Sequence, residues 1–152
     1  MLIPTKQHQQ LYNSVIIFPM KILKFEDLEI WQLALKITKY IYDLTSKKEF
    51  SKDFELKNQV RSSVISISSN IVEGFEKNNN NEFIRFLKIS KGSCGEVRNQ
   101  LYIALTVQYI TKDEFNKANE MLLELASKIG KFISYLETQR QKGNFIKKTR
   151  TR

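Results

Sequence analysis

The sequence has few of the residues that most often build catalytic or metal sites, and few that interrupt helices. Among 152 residues there are one cysteine, one histidine, two prolines and five glycines. A single cysteine, Cys94, excludes an internal disulfide and a cysteine-based zinc cage. A single histidine, His8, leaves little material for histidine-based acid–base or metal chemistry. We therefore expect no metal and no cofactor, and the scarcity of helix breakers favours a helical protein.

The positive charge of the chain is concentrated at its two ends. The formal net charge is +9, from 25 basic and 16 acidic residues. Residues 1–24 hold three lysines and no acid, and residues 140–152 hold six basic residues and no acid, which leaves 16 basic residues to balance the 16 acids between them. Basic tails are typical of arms that bind nucleic acid or another anionic surface, and also of purely solubilising tails. The C-terminal residues that we predict to contact nucleic acid are Arg140, Lys142, Lys147, Lys148, Arg150 and Arg152.

Residues 1–24 show no sustained periodicity and are predicted to form a flexible N-terminal arm. Their apolar run, residues 15–18, ends at Pro19. It is too short for the core of a signal peptide or for a membrane span. We therefore expect a cytoplasmic protein without a membrane partner. Met20 is a candidate initiation residue, in which case residues 1–19 are an upstream extension.

Apolar residues recur at helical spacing in four stretches, which predict helices at residues 26–46, 54–77, 82–108 and 112–139. Residues 47–53 are predicted to be a loop, and a run of asparagines forms the next turn, with Asn80 or Asn81 as the following N-cap. Thr111 and Glu114 have the spacing of a capping box. Four long helices with short connections predict an all-α, antiparallel up-down-up-down bundle over residues 25–139, with disordered basic tails.

Two features predict that copies of this chain associate. The first predicted helix carries a second stripe of Trp31, Leu35, Thr38 and Tyr42 beside its core stripe, although a helix in a monomeric bundle needs only one. The end of the third helix, where Tyr102 lies, is apolar nearly all round. Gly92 and Gly95 each cost about 1 kcal/mol inside a helix relative to alanine, and close helix–helix contact would offset that cost. We expect Trp31 and Tyr102 to stay partly exposed in one subunit.

Several polar residues lie among the apolar positions of the second and third helices, and two interpretations are open. They could form a small site built from acids and amides, or a hydrogen-bonded network that fixes helix register or an interface. The second is favoured because no nucleophile–base pair is visible. The residues assigned to this network are Gln59, Arg61, Asn70, Glu73, Ser93 and Glu96.

Three groups of residues, one in each of the first three predicted helices, together form a pattern that is much more specific than any one group alone. They are Phe25, Leu28, Trp31 and Gln32; Gln59, Arg61, Ser66, Asn70, Ile71, Glu73 and Gly74; and Phe83, Phe86, Leu87, Ser90, Gly92, Ser93 and Glu96. With them the chain resembles, over residues 25–136, the 23S rRNA intervening-sequence protein family. That family includes the accessory variability determinant of diversity-generating retroelements.

The resemblance implies a bacterial four-helix bundle that assembles as a ring-shaped homopentamer and has no catalytic activity. Retroelement members look like basic partners of nucleic acid and of a reverse transcriptase, whereas the body of this chain is formally neutral. We therefore predict a non-enzymatic, oligomeric accessory factor that binds RNA or DNA. The alternative is an assembly or scaffold module, with a reverse transcriptase or another protein as partner and no nucleic acid.

Overall fold

The computed structural model describes residues 22–143, and its long elements are all helices. A 3-10 turn at Phe25–Asp27 precedes the helices, and no strand occurs in the described part. The expectations for residues 1–21 and 144–152, including Met20 and the charges of Lys147, Lys148, Arg150 and Arg152, lie outside the described residues. The helices are α1, Glu29–Thr45; α2, Lys48–Lys52; α3, Phe54–Glu76; α4, Asn80–Thr106; and α5, Lys112–Gln141.

The four long helices form the antiparallel bundle that the sequence predicts. Helix α1 packs against α3 and α5, and α4 packs against the same two helices, so each long helix has two neighbours. Contacts between neighbours run in opposite directions along the chain. Ser66 of α3 meets Ser93 of α4, whereas Gln100, later in α4, reaches back to Ser63. None of the helices within residues 22–143 is long and apolar enough to cross a membrane.

The core is built from one apolar stripe on each long helix, as the spacing predicts. Side chains at steps of three and four residues share a helix face, so each stripe turns inward as a continuous ridge. Burying each large aliphatic side chain contributes roughly 1.5–3 kcal/mol. The largest fully buried aliphatic side chains are Ile37, Ile41, Leu44, Ile67, Ile71, Leu87, Leu101, Leu122, Leu125, Ile129 and Leu136.

The helix ends agree with the sequence at one cap and differ at another. Thr111 and Glu114 form the predicted capping box, in which each side chain bonds the other residue's backbone N–H. Helix α4 begins earlier than predicted, because Asn79 rather than Asn80 or Asn81 is the N-cap and accepts from the Glu82 N–H at 3.1 Å. Helix α5 continues to Gln141, so Arg140 lies in its last turn.

The connection between α1 and α3 was predicted to be a plain loop, and this prediction is wrong, because it contains the short helix α2. Phe50 of α2 is fully buried, and its ring lies 5.5 Å from that of Tyr109. The Tyr109 hydroxyl donates to Asp53 Oδ2 at 3.0 Å, and Asp53 Oδ1 caps α3 by accepting from the Leu56 N–H. The segment therefore closes this end of the bundle.

Candidate functional site

Small polar side chains line the contact between α3 and α4, and we call this line the α3–α4 seam. It comprises Ser63, Ser66, Asn70, Ser90, Ser93, Glu96 and Gln100. Ser66 Oγ and Ser93 Oγ lie 3.0 Å apart, and Asn70 Nδ2 donates to Ser66 Oγ at 2.9 Å and to the Ser66 carbonyl at 2.7 Å. Ser90 Oγ donates to the Ile67 carbonyl at 2.8 Å. The Ser66–Ser93 and Ser90–Ile67 bonds join the two helices at one fixed register, and Asn70 orients Ser66 from within α3.

The second half of the α3–α4 seam is centred on Ser63. Gln100 Nε2 donates to Ser63 Oγ at 3.0 Å, and Ser63 Oγ lies 3.4 Å from Glu96 Oε2. Gln100 is buried, and its Oε1 has no hydrogen-bond partner among residues 22–143. Because the seam hydroxyls bond to carbonyl, carboxylate and amide groups of neighbouring turns, the geometry favours a network that fixes register over a reactive site.

The structure brings together only some of the polar residues singled out in the sequence. Asn70, Ser93 and Glu96 all join the α3–α4 seam, whereas Gln59 and Glu73 are exposed elsewhere on α3. Glu73 faces Lys77 at 4.0 Å.

Arg61 lies away from the seam, where α3 passes the end of α1. It donates to Thr45 Oγ1 at 2.9 Å and to Ser46 Oγ at 3.1 Å, and its guanidinium lies 4.3 Å from the centre of the Tyr42 ring. Sequence reasoning missed Ser63 and Gln100, whose positions beside the apolar stripes are the only signal of their role.

The glycines show where the helices approach closely. A Cβ atom on Gly74 would lie 2.7 Å from Phe86 Cβ and 2.9 Å from Phe83 Cδ2, so α3 and α4 are in contact there. A Cβ atom on Gly92 or Gly95 would meet nothing within 4 Å in the described part of the chain. The prediction that close helix contact offsets these two glycines is therefore wrong within one subunit.

The outer side of α1 and α3 carries an apolar surface, which we call the apolar α1–α3 face. It comprises Trp31, Leu35, Tyr42, Phe54 and Ile65. Phe54 is 68% and Ile65 is 44% exposed, and Leu35 is exposed on α1. Ile65 lies one turn beyond Arg61, which covers the Tyr42 ring, so Ile65 and Tyr42 lie on the same side of the bundle. As expected, Trp31 is only half-buried and Tyr102, on α4, is 48% exposed.

Cations on the other side of the bundle line a groove between α4 and α5, which we call the basic α4–α5 groove. Its central cavity is lined by Lys88, Lys91 and Glu137, and Arg98 and Arg140 lie beyond it on either side along the same two helices. Arg98 Nε donates to Asn119 Oδ1 at 2.7 Å, and Arg140 Nη1 donates to Asn81 Oδ1 at 3.0 Å. Of the C-terminal residues predicted to contact nucleic acid, Arg140 lies at one end of this groove and Lys142 is the exposed C-cap of α5.

Glu114 and Cys94 are among the side chains whose pKa values are displaced. Burial alone would raise the pKa of Glu114, but hydrogen bonds from the Lys47 ammonium and the Thr111 N–H outweigh it and hold that pKa below its usual value. Burial raises the pKa of the Cys94 thiol to about 12. Within residues 22–143, no group of three histidine, cysteine or acidic side chains is placed to hold a metal ion.

Comparisons with known proteins identify a family and solved structures of similar fold. A family model described as 23S rRNA-intervening sequence protein matches residues 26–131. A crystal structure of a protein with unknown function from the S23 ribosomal protein family of Bacteroides thetaiotaomicron is similar, with a TM-score of 0.63 and 22% identity. The match covers 68% of this chain and 97% of that one, and at this identity it shows the fold alone. No curated protein matches the chain.

Proposed function

The chain belongs to the 23S rRNA-intervening sequence protein family, and from that premise we propose that it is a non-enzymatic, self-assembling accessory protein that binds nucleic acid in the bacterial cytoplasm. The observation that carries the assembly is the apolar α1–α3 face. The observation that supports nucleic-acid binding is the placement of positive charge.

The apolar α1–α3 face supports contact between copies. Exposed apolar side chains scattered singly are normal on a protein surface, whereas a contiguous group marks an interaction site. Here Leu35, Tyr42 and Ile65 lie on one side of two adjacent helices. Burying such a face against a second copy is favourable by about 25 cal/mol for each Å² of apolar surface removed from water. The proposed assembly is the homopentamer that the family resemblance implies.

The distribution of charge supports a polyanionic partner. An even number of long antiparallel helices places the start of α1 and the end of α5 at the same end of the bundle. The three lysines before residue 25 and the six basic residues after residue 139 therefore attach at one end. In an assembly these segments act together on one strand, which raises their effective concentration. Each duplex phosphate that they neutralise adds about 0.9 to the slope of log affinity against log salt.

Light scattering tests the assembly with a matched pair of variants. Ile65→Glu places a charge on the apolar α1–α3 face, and Leu123→Glu places one on α5. The two positions are matched in exposure, since Ile65 is 44% and Leu123 is 45% exposed. We expect the unaltered protein and Leu123→Glu to have a mass several times 17.9 kDa, and Ile65→Glu to approach 17.9 kDa. If the unaltered protein is a monomer at micromolar concentration, the proposed self-assembly is contradicted.

Filter binding against RNA and DNA at several salt concentrations tests the second part. Helix α5 continues to Gln141, so a chain that stops after Gly143 keeps the helix and loses four basic residues. We expect this chain to bind more weakly and with a shallower salt slope. The matched control is the full-length chain with Lys147, Lys148, Arg150 and Arg152 replaced by glutamine, which separates charge from length. Unchanged binding by both contradicts a role for the tail.

The second candidate is a scaffold that binds only protein, such as a reverse transcriptase. It is favoured by the pairing of cations with carboxylates on α1 and α2. Lys39 pairs with Asp43 at 2.8 Å, and Lys52 pairs with Glu49 at 3.1 Å. Assembly without binding to RNA or DNA at low salt is the result that selects this candidate.

A further inference from the structure

Among residues 22–143, three of the four cations of the basic α4–α5 groove have no carboxylate partner. Arg98 and Arg140 donate to the neutral amide oxygens of Asn119 and Asn81, and Lys91 has no carboxylate within 4.0 Å among residues 22–143. Lys88 is the exception, because it pairs with Glu137 at 3.5 Å. A neutral partner orients a cation without cancelling its charge, so Lys91, Arg98 and Arg140 keep their full attraction for an anion.

The spacing of these residues places them along one line. Lys88, Lys91, Arg98 and Tyr102 are separated by three, seven and four residues, which are whole turns of a helix to within a fraction of a turn. Lys88 and Arg98 are therefore about 15 Å apart along the α4 axis, at 1.5 Å for each residue. The antiparallel packing of α5 puts Glu137 opposite Lys88, Gly130 opposite Lys91 and Asn119 opposite Arg98. A linear row of this kind suits a linear polyanion.

The groove is open because small residues form its floor. A Cβ atom on Gly130 would lie 3.4 Å from Lys91 Nζ, so glycine at this position lets the lysine side chain lie across α5. Gly95 lies one turn after Lys91 on α4, and a Cβ atom there would meet no other atom of residues 22–143 within 4 Å. The cavity at this point is lined by Lys88, Lys91, Gly92, Gly130, Ile133, Ser134 and Glu137, the partner of Lys88. A strand can therefore approach the two helices closely between the cations.

An exposed aromatic ring stands at one end of the groove. Tyr102 is 48% exposed, and its ring centre lies 4.5 Å from that of Phe115, which is buried. Lys112 Nζ lies 5.2 Å from the centre of the Phe115 ring, and Arg98 is one turn before Tyr102. The two rings are inclined at 50° to each other, and contact with Phe115 leaves about half of Tyr102 exposed. Exposed rings beside cations are the stacking platforms that proteins use for unpaired bases.

The opposite end of the groove lies near the end of α5. Arg140 reaches Asn81 at the start of α4, and the exposed Lys142 follows the end of α5. Four more basic residues follow Gly143 in the sequence, a few positions after Arg140 and Lys142.

From this arrangement we propose that the basic α4–α5 groove binds single-stranded nucleic acid, with backbone phosphates on Lys91, Arg98 and Arg140 and a base stacked on Tyr102. The proposal rests on the proposed function and assigns its site to the bundle rather than to the tail alone. A single strand fits because its bases are free to reach Tyr102, whereas the bases of a duplex are already stacked on one another.

Fluorescence anisotropy with labelled oligo(dT), at several salt concentrations, tests the site. Lys91→Glu/Arg98→Glu is compared with Lys36→Glu/Lys48→Glu, which makes the same charge change at exposed lysines of α1 and α2. On single strands each lost phosphate contact lowers the salt slope by about 0.7, so we expect the groove variant to lose about 1.4 and the control much less. Circular dichroism verifies that both variants are folded. An equal loss of salt slope in the two variants overturns the assignment of the binding site to the groove. If the unaltered protein does not bind oligo(dT), the proposed function is overturned as well.

The stacking platform has a separate test. Tyr102→Leu keeps an apolar side chain on Phe115 but removes the aromatic face. We expect it to weaken binding of oligo(dT) by about tenfold and to leave binding of heparin, a polyanion without bases, unchanged. Preference for oligo(dT) over a DNA duplex is expected for the unaltered protein and lost in Tyr102→Leu. An equal effect of Tyr102→Leu on heparin and oligo(dT), or tighter binding of the duplex, overturns single-strand recognition.

Discussion

Gln100 donates one hydrogen bond across the bundle to Ser63, at 3.0 Å, while the oxygen of the same amide is buried without a partner among residues 22–143. A buried acceptor that has lost its bond to water costs about 1–3 kcal/mol. Gln100→Leu removes that acceptor at similar volume, and Ser63 keeps Glu96 as a neighbour at 3.4 Å. We expect the free energy of unfolding to rise by about 1 kcal/mol, measured by urea denaturation.

Gln100→Glu is the control for this prediction. It introduces a buried carboxylate on the helix that carries Glu96, so we expect a loss of more than about 1 kcal/mol. A marked loss of stability in Gln100→Leu is the contradicting outcome, because it would mean that the Gln100 oxygen is bonded in solution.

Glycine-to-alanine substitutions at two sites have opposite expected effects. At Gly74 the new Cβ would lie 2.7 Å from Phe86 Cβ, so α3 and α4 must separate, and we expect a loss of about 1–3 kcal/mol. At Gly95 the new Cβ meets nothing within 4 Å in the described chain, and alanine is the better helix former, so we expect a gain of about 1 kcal/mol. Thermal unfolding of the two variants measures both, and effects of the same sign would contradict the packing described for α3 and α4.

The ion pair between Lys47 and Glu114 predicts a defined pH dependence. Because the pKa of Glu114 is lowered in the folded protein, its contribution to stability is present above the ordinary value of 4.5 and is lost as pH falls through the folded pKa. Glu114→Gln removes the titrating group and the pair. We expect the variant to have a lower Tm than the unaltered protein at pH 7, and the difference to shrink once pH falls below about 4.5. A Tm difference that stays constant from pH 7 to pH 3 is the result against it.

The Cys94 thiol is predicted to be unreactive in the folded protein. The thiolate is the reactive form, and burial raises the pKa of Cys94 to about 12. We expect mass spectrometry to find no iodoacetamide adduct at pH 8 under native conditions and one adduct in urea. The chain has one cysteine, so the assignment needs no mapping. Rapid native labelling would show that α4 opens locally around this position.

The long helices could be predicted from sequence because each buries one continuous stripe, and such a stripe has the period of the helix itself. The capping box could be predicted for a similar reason, since Thr111 and Glu114 act within one turn. Helix α2 could not, because a single apolar residue, Phe50, has no periodicity, and its burial depends on the distant Tyr109.

The polar residues show the same distinction between local and distant partners. Ser63 and Gln100 are 37 residues apart, and only the register of α3 against α4 brings them together. Arg61 and Asn70 lie on one helix, but Arg61 bonds Thr45 of α1, whereas Asn70 bonds Ser66 of its own helix, which in turn meets Ser93 of α4. The basic α4–α5 groove likewise depends on the packing of α5 opposite Lys91 and Arg98. Residue type and spacing identified the helices, but the partner of each polar residue required the three-dimensional arrangement.

The buried Phe50 makes the two ends of the molecule unequal for protein engineering. Insertions are tolerated where the backbone is exposed and carries few tertiary contacts. The asparagine turn meets this condition just before Asn79, because Lys77 and Asn78 are exposed and Asn79 is left to cap α4. The α1–α3 connection does not, because displacing Phe50 opens the core to water. A fluorescent protein or affinity tag belongs at the asparagine turn, and a circular permutant opened there keeps the Phe50 end intact.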